Sequence, residues 1–295
     1  MNQMAPAQIS AARALISTAL DEDLHGQPDL TSVATIPEAL SESVDLVART
    51  SGTLCGMDII EATYQQVDQN VQVERYRQDG DALKPGDVIA KMTGPVRSLL
   101  TGERTVLNLV THLCGVATLT AEFVDAVRGT SAVILDTRKT LPAYRLIQKY
   151  AVTCGGGRNH RMGLYDGILI KDNHLAAQSS GDPAAAVRAA RAYLQENSIA
   201  VQVEIEVDSL EQLRRVLPAM PDIVLLDNMN LEDLNEAVAF RNQNAPDVQL
   251  EASGGVTLST VGAIAGTGVD RISIGALTHS APALDLGFDW PTTLG

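Results

Sequence analysis

Residues 201–227 of the chain, VQVEIEVDSLEQLRRVLPAMPDIVLLD, contain two short apolar runs separated by a helical segment. The runs VQVEIEV (201–207) and DIVLLD (222–227) are rich in Val, Ile and Leu, which is typical of strands buried on both faces of a sheet. Between them, Ser209 and Gln212 have the spacing of a capping box, which predicts the start of a helix. A strand, a helix and a second strand with short connections predict a parallel α/β unit.

The same alternation of strand and helix extends from residue 131 to about residue 275. Four further runs have the composition of buried parallel strands: AVILDT (132–137), GILIK (167–171), VQLEAS (248–253) and RISIG (271–275). Asp182 before Pro183, and also Asn230, are placed to cap intervening helices. Six strands fall short of the eight of a complete barrel. The sequence therefore predicts an open or incomplete parallel α/β barrel, which we assign to residues 117–280.

Residues 1–116 have a mixed pattern and are predicted to form an amino-terminal α+β domain, an α/β sandwich. SVDLVART (43–50) and VQVERYR (71–77) alternate as half-buried strands do. A long helical pattern then follows, with Gly115 as its predicted break. The tail at 281–295 is expected to pack back on this domain.

Composition and charge exclude several function classes. With 36 acidic and 22 basic residues and a net charge of −14, the chain has no basic face for nucleic acid. No apolar run approaches the ~20 residues of a membrane span, and the amino terminus has the pattern of an amphipathic helix and not of a secretory signal. Cys55, Cys114 and Cys154 are odd in number and widely spaced, which favours free thiols in a reducing compartment. We expect a cytoplasmic protein with neither a nucleic-acid nor a membrane partner.

The predicted barrel strands end in polar residues or glycines. These ends carry Asp136 to Lys139, Lys171, Glu206, Asp227, Ser253 to Gly255, and Gly275. Because the carboxyl ends of parallel barrel strands open into one mouth, these residues are expected to converge on a binding site. Contact with water explains one polar strand end readily, whereas a series of them indicates a site.

Positive charge is concentrated in one part of this acidic chain. Seven of its 22 basic residues lie between positions 138 and 171, and that stretch contains one acidic residue, Asp166. Arg145 and Lys149, one helical turn apart, have the spacing of a solvated helix face. The other five lie at strand ends or beside the glycines 155–157, which predicts a cleft for a strongly anionic small ligand.

Glycines and carboxylates complete the predicted site. Gly155–Gly157 would allow a ligand or another backbone to come close, and Ser253–Gly255, between a strand and a helix, has the position of a phosphate-binding turn. Glu206 and Asp227 can act as acid and base, bind sugar hydroxyls, or share Mg²⁺ with a phosphate ligand. The roles of Glu204 and His174 stay open.

Together these stretches resemble the quinolinate phosphoribosyltransferase family over nearly the whole chain. The motifs are GERTVLN (102–108), LDTRKTLPAYR (135–145), CGGGRNHR (154–161), LIKDNH (169–174) and EASGGV (251–256). The chain departs at Cys114, where Ser is more usual, and at TLPAYR, where TTPGLR is commoner. The resemblance implies a homodimer with shared active sites, or a higher homo-oligomer, and a pentosyltransferase of NAD biosynthesis. It would join quinolinate to phosphoribosyl pyrophosphate, releasing pyrophosphate and CO₂, with substrate-associated Mg²⁺ and no organic cofactor.

The resemblance also implies roles for individual residues. Arg104, Arg138, His160 and Arg161 would bind the quinolinate carboxylates, with Arg104 reaching the neighbouring subunit's site. Lys139 and Lys171 would face a carboxylate or the pyrophosphate. Glu206 and Asp227 match residues that handle ribose hydroxyls and metal, and these two acids and two lysines are the expected catalytic group. The 5′-phosphate site would comprise Ser253, Gly254, Gly255, Gly275 and His279.

Three other functions stay open on the sequence. A related phosphoribosyltransferase or paralogue would act on nicotinate or another anionic heterocycle, although one carboxylate does not need so many cations. An aldolase-type barrel would use Lys171 as a Schiff-base lysine, which borohydride trapping would reveal. A non-catalytic anion sensor would bind quinolinate and phosphoribosyl pyrophosphate without turnover.

Overall fold

The computed structural model describes residues 3–177 and 181–290, which belong to two compact units. One unit comprises Met1–Ala121, Lys139–Gly156 and Ala276–Gly295. The other comprises Glu122–Arg138 and Gly157–Gly275. We refer to them as the first and the second unit.

The elements up to residue 126 belong mostly to the first unit. In chain order they are α1 (Pro6–Leu24), α2 (Leu30–Thr35), β1 (Ser41–Ala48), β2 (Gly52–Thr53), α3 (Met57–Val67), β3 (Gln72–Arg75), β4 (Ala82–Leu83), β5 (Val88–Pro95) and α4 (Val96–Ala126).

The remaining elements alternate between strand and helix. They are β6 (Val133–Leu135), α5 (Arg145–Cys154), β7 (Ile168–Ile170), α6 (Asp172–Ala176), α7 (Pro183–Glu196), β8 (Val203–Val207), α8 (Leu210–Val216), β9 (Ile223–Asp227), α9 (Leu231–Asn244), β10 (Gln249–Ser253), α10 (Leu258–Gly266), β11 (Arg271–Ser273), α11 (Ala276–His279) and β12 (Leu286–Asp289). A short 3₁₀ helix, Leu217–Ala219, follows α8.

The first unit contains a four-stranded antiparallel sheet in the order β12-β1-β5-β3. Val44 and Leu46 of β1 are buried, whereas Ser43 and Asp45 are partly exposed, as the alternating pattern predicts. Leu46 lies opposite Phe288 of β12, so the segment near the carboxyl end of the chain supplies an edge strand. The amino-terminal sheet predicted from the sequence is confirmed.

The helix α4 is continuous over 31 residues, so the predicted break at Gly115 is wrong. Gly115 is there because another backbone crosses it: a Cβ at this position would lie 2.0 Å from the carbonyl oxygen of Pro282. By length and composition α4 could cross a membrane, but 61% of its most apolar window is buried, as in the core helix of a soluble protein.

The second unit contains a six-stranded sheet in the order β6-β11-β10-β9-β8-β7, and all of its neighbouring strands are parallel. These are the six strands predicted from the sequence. Four consecutive residues of β9, Ile223 to Leu226, are buried, as expected of a parallel strand that is covered on both faces. In register, Ser253 of β10 lies between Asp227 of β9 and Ser273 of β11, which aligns the carboxyl ends of three strands.

The three predicted helix caps of this unit are confirmed. The Asp182 carboxylate accepts the N–H groups of residues 184 and 185 at the start of α7. Ser209 accepts the N–H of Gln212 in α8, and Asn230 accepts two N–H groups in α9. Each cap satisfies backbone donors that a helix leaves unpaired at its start, and each one fixes the turn that follows a strand.

The helix α5 of the first unit corrects one sequence-based interpretation. Lys149 is fully buried, so it does not belong to a solvated face. Gly155 ends α5 and lies so close to α4 that a Cβ would be 2.3 Å from the carbonyl oxygen of Ala117. The glycine run at this point therefore allows another backbone to come close. Cys55, Cys114 and Cys154 are buried and free, as the sequence predicts.

Candidate active site

Polar side chains mark the carboxyl ends of four neighbouring strands in the second unit. Lys171 follows β7, Glu206 lies near the end of β8, and Asp227 and Ser253 end β9 and β10. Because the four strands are parallel and paired in this order, these ends lie along one edge of the sheet.

An ion pair joins the first two of these ends. The ammonium group of Lys171 contacts the carboxylate of Glu206, whose side chain is 16% exposed, whereas that of Lys171 is 42% exposed. Lys171 also begins α6, where its N–H donates to Nδ1 of His174 at 2.9 Å. The lysine is thus held by its backbone at the start of a helix while its charged end faces the edge of the sheet.

The next two strand ends are joined through Asn228. Its Nδ2 donates to Asp227 at 2.7 Å, and its backbone N–H donates to the carbonyl oxygen of Ser253 at 2.9 Å. Gly254 has a φ of +95°, and a Cβ there would meet Asn228 Oδ1 at 2.2 Å, so only glycine fits. The turn continues through Gly255 into α10, whose N-cap is Thr257. Backbone N–H groups at the start of such a helix favour a phosphate group.

A buried charged cluster lies inside the second unit. His160 Nε2 is 3.0 Å from Glu204 Oε2 and 3.5 Å from Glu251 Oε1. Arg271 Nε donates to Glu251 Oε2 at 2.8 Å. Glu251 and Arg271 are direct neighbours in the β10–β11 register, and Glu204 precedes Glu206 by two residues on the same face of β8. We call these four residues the interior quartet.

The charges of the quartet perturb one another. Burial lowers the pKa of His160, but the hydrogen bonds and charges of Glu204 and Glu251 outweigh burial and raise that pKa to about 9. Burial raises the pKa of Glu204, and the nearby charge of Glu251 acts in the same direction. Burial also acts to raise the pKa of Glu251, but His160 and Arg271 outweigh it and lower that pKa.

One contact opposes a charged His160. Nδ1 of the ring lies 2.8 Å from the backbone N–H of Arg161, which requires a bare nitrogen and so favours the neutral ring. Two carboxylates within 3.5 Å of Nε2 favour the charged ring more strongly than one amide hydrogen bond opposes it. We therefore assign the imidazolium form near neutral pH.

Arg161 lies beside this cluster and close to Arg138. Burial lowers the pKa of the Arg161 guanidinium, and the charge of Arg138 lowers it further. Nη1 of Arg161 donates to the carbonyl oxygen of Gly167 at 2.9 Å, and Asp166 ties the intervening turn by accepting the N–H groups of residues 162 and 163. Two guanidinium groups that repel each other form a site for an anion with more than one carboxylate.

A cavity of about 310 Å³ opens where the quartet meets Arg161. Among its lining residues are His160, Arg161, Glu204 and Arg271. This volume is at the lower end for a small-molecule site. Lys171, Glu206, Asp227 and Ser253 are not among the residues that line it, because it opens at the first residues of β7, β9 and β11 and not at the carboxyl ends of the strands.

Models of two protein domains match this chain. The amino-terminal domain of quinolinate phosphoribosyl transferase matches residues 29–114, and the carboxyl-terminal domain matches residues 116–289. The chain belongs to the quinolinate phosphoribosyltransferase family.

Relatives of known name and structure support this membership. The nicotinate-nucleotide pyrophosphorylase [carboxylating] of Mycobacterium leprae is 46% identical over 96% of this chain and 98% of its own. The probable enzyme of the same name from Bacillus subtilis is 43% identical over 91% of this chain and 89% of its own. The solved structure of the nicotinate-nucleotide pyrophosphorylase of Francisella tularensis is 37% identical, covers 98% of both chains and has a TM-score of 0.88.

Some residues that the family resemblance singles out lie outside the second unit. Arg104 is exposed on α4, and among the described residues it has no hydrogen bond or ion pair. Lys139 follows Arg138 at the point where the chain enters the first unit, and its carbonyl oxygen accepts the hydroxyl of Thr278 at 2.8 Å. His279 ends α11, also in the first unit, whereas Gly275 ends the second.

Three members of the quartet are not predicted as site residues from the sequence. The role of Glu204 stays open there, and no role is predicted for Glu251 or Arg271. Asp136, one of the polar residues at the predicted strand ends, is fully buried, and its carboxylate accepts the backbone N–H of His160 at 2.9 Å. The available signal was a charged residue inside an apolar strand, as at Glu251 in VQLEAS.

Two groups of side chains in the second unit have donor atoms that could bind a metal ion. Asp227 is half-exposed, and among the described residues its carboxylate accepts one hydrogen bond, from Asn228, so it keeps free acceptor positions near Glu206. This donor set fits Mg²⁺, which takes one or two carboxylates together with substrate phosphates. Donor atoms of His160, Glu204 and Glu251 also lie within 4.8 Å of one another, but Arg271 already neutralises Glu251 there.

Proposed function

We propose that this chain transfers the phosphoribosyl group of phosphoribosyl pyrophosphate to the ring nitrogen of quinolinate. The products are nicotinate mononucleotide, pyrophosphate and CO₂, which makes the enzyme a pentosyltransferase of NAD biosynthesis. The observation that carries this proposal is the match of both family domains to a chain in which the charge of Arg138 acts on Arg161. Two neighbouring guanidinium groups suit a substrate with two carboxylates on adjacent ring carbons.

The site has two halves with different chemistry. Arg138, His160 and Arg161 would hold the quinolinate carboxylates and so set the angle of the pyridine ring. The turn Ser253–Gly255, whose φ values at both glycines are positive, would bind the 5′-phosphate with its backbone N–H groups. Gly275 and His279 are assigned to the same phosphate on the family pattern alone.

Lys139 and Lys171 are assigned to charge stabilisation during transfer. The bond between C1′ and the pyrophosphate oxygen breaks, the bond between C1′ and the pyridine nitrogen forms, and negative charge builds up on the leaving pyrophosphate. A lysine ammonium is a point charge that can meet this oxygen at low entropic cost, because the Lys171 backbone is already fixed at the start of α6.

Glu206 and Asp227 would hold Mg²⁺ and the ribose hydroxyls. When bound, the metal would neutralise charge on the pyrophosphate. Glu206 is paired with Lys171 in the described structure, so ligand binding at this end must compete with that pair.

Loss of CO₂ follows from the substrate and needs no organic cofactor. Once the ring nitrogen is alkylated it carries positive charge, so the electron pair of the C–CO₂ bond can stay on the adjacent ring carbon, as an ylide, when CO₂ leaves. The ring carbon then takes a proton from solvent. The protein contributes orientation and charge, and no side chain has to act as a base in this step.

The enzyme is proposed to be a cytoplasmic homodimer with shared active sites, and larger assemblies of the dimer are compatible with it. Supporting this, Arg104 presents an exposed guanidinium that has no described partner within its own chain. In the proposal it completes the quinolinate site of the second subunit.

A stoichiometric assay tests the proposed reaction. The purified protein, quinolinate, phosphoribosyl pyrophosphate and Mg²⁺ are expected to yield nicotinate mononucleotide, pyrophosphate and CO₂ in equal amounts. Arg138→Ala is the matched negative control. Binding of both substrates without products would instead identify an anion sensor, and borohydride-trapped carbonyl substrate on Lys171 would identify an aldolase.

A further inference from the structure

The interior quartet is more buried than a substrate site requires. The side chains of His160, Glu204 and Glu251 are 9%, 4% and 0% exposed. Removing charged groups from water costs several kcal/mol per ion unless they are paired, so such a cluster persists only when its members compensate one another. Here Arg271 pairs with Glu251, and His160 lies between Glu251 and Glu204.

Compensation within the quartet is incomplete. Glu204 Oε1 is buried and has no hydrogen-bond partner among the described residues, whereas Glu251 Oε1 has the His160 ring 3.5 Å away. Buried acceptors without partners reduce stability, and a packed apolar core would avoid that cost. A cluster that keeps this cost directly beside Arg161 is expected to position that residue as well as to support the fold.

The geometry shows what the quartet can do for the site. Asp136 holds the backbone N–H of His160 at 2.9 Å, and the two glutamates hold the ring at Nε2. The residue is therefore held at its backbone and at both ring nitrogens, because Nδ1 lies 2.8 Å from the backbone nitrogen of Arg161. Arg161 follows directly in the chain, so the course of the backbone through His160 also determines where its guanidinium begins.

We propose that Glu204, Glu251 and Arg271 are positioning residues for the dicarboxylate substrate, acting through the orientation of His160 and the adjoining Arg161. This proposal rests on the proposed function for the identity of the substrate, but not for the geometry of His160. Neither glutamate has to touch quinolinate. An acid that faced the carboxylates directly would repel them, whereas one behind the His160 ring favours its positive charge.

Charge-removing substitutions test this proposal. Glu204→Gln and Glu251→Gln keep the side-chain shape and remove one acceptor charge from His160. We expect each to raise KM for quinolinate by ~10-fold or more, the scale of one charge-assisted hydrogen bond, with KM for phosphoribosyl pyrophosphate changed less than ~2-fold. The ¹⁵N and ¹H signals of the His160 ring, measured by NMR, are expected to move in both variants.

Arg241→Gln is the matched control. The side chain of Arg241 is 7% exposed and its Nη1 donates to Asp270 at 2.6 Å in the same unit, so this variant also breaks the ion pair of a buried side chain. It should lower the melting temperature without changing either KM or the His160 signals. Unchanged His160 signals and quinolinate KM in the two glutamine variants would overturn the proposal, as would equal changes in KM for both substrates.

Two further measurements keep the test decisive. If Glu251→Gln does not fold, Arg271→Lys weakens the same pair while keeping its charge and should produce a smaller change in the same direction.

Metal analysis of the wild type is expected to find no ion at the quartet, and a stoichiometric metal lost in Glu251→Gln would overturn the assignment. If the wild type does not turn over quinolinate, the proposed function fails, yet the NMR signals still decide whether the glutamates position His160.

Discussion

His160 Nε2 lies 3.0 Å from Glu204 Oε2, in a pair whose two side chains are less than 10% exposed. The carboxylates around His160 raise its pKa to about 9, from about 6.5 for an ordinary histidine. The folded state therefore holds this proton more tightly than the unfolded state. Its contribution to stability is fully present below pH ~6.5 and is lost as the pH rises through about 9.

This linkage predicts a pH-dependent difference between wild type and His160→Gln. The difference in unfolding free energy should decrease by up to roughly 3 kcal/mol between pH 6.5 and 9.5, measured by urea unfolding. Glu251 does not interfere, because its lowered pKa acts only in the acidic range. A difference that stays constant or grows over this window would contradict the charged His160.

Substitutions in the two halves of the proposed site are predicted to weaken the binding of different ligands. Arg161→Ala should weaken quinolinate binding, whereas Asp227→Asn should mainly weaken phosphoribosyl pyrophosphate with Mg²⁺. Each charge-assisted contact is worth roughly 1.5–3 kcal/mol, so Kd should rise ~10- to 100-fold for one ligand only. Calorimetric titration of each ligand into each variant measures this. Normal quinolinate binding by Arg161→Ala would mean that the dicarboxylate site lies elsewhere.

Shared active sites predict recovery of activity from two inactive variants. Arg104→Ala and Arg161→Ala are unfolded together and refolded as a mixture, so half of the dimers contain one chain of each kind. One site of each mixed dimer then combines an intact Arg161 with an intact Arg104, and activity should reach about one quarter of wild type. Mixed dimers seen by mass spectrometry but without activity would show that both residues act within one chain.

The close approach of another backbone to Gly115 predicts that no larger residue fits at this position of the first unit. Gly115→Ala would place a Cβ 2.0 Å from the backbone oxygen of Pro282, which cannot rotate away as a side chain can. We expect a loss of at least ~2 kcal/mol in unfolding free energy. Gly266→Ala is the control, because the same helical substitution there meets nothing within 4 Å and should be neutral or stabilising. Equal stability of the two variants in denaturant unfolding would contradict the close approach.

The elements predicted correctly from the sequence are those determined by residues close to them in the chain. All six strands of the second unit and the caps at Asp182, Ser209 and Asn230 follow from apolar runs and from capping residues a few positions away. The break at Gly115 was wrong because the reason for that glycine lies at Pro282, far along the chain. Lys149 was misjudged for a similar cause, since burial depends on how α5 packs and not on its own spacing.

The candidate site shows the same division. Lys171, Glu206, Asp227 and Ser253 could be expected together, because the carboxyl ends of parallel strands lie at one edge. The interior quartet could not, since His160 and Glu251 are distant in sequence and only the strand register brings Glu251 beside Arg271. Glu251 and Glu204 lie within strands, where the sequence shows a charge but not its partner.

The most direct measurement of the central claim compares kcat/KM for quinolinate and nicotinate, with phosphoribosyl pyrophosphate and Mg²⁺ in excess. Nicotinate lacks one carboxylate, so one of the cationic groups at Arg138 and Arg161 would have no carboxylate to bind. The resulting loss in kcat/KM can reach ~10⁴-fold. We predict a preference for quinolinate on that scale, with one CO₂ released per pyrophosphate. Comparable kcat/KM values for the two acids, or turnover of quinolinate without CO₂, would contradict the assignment.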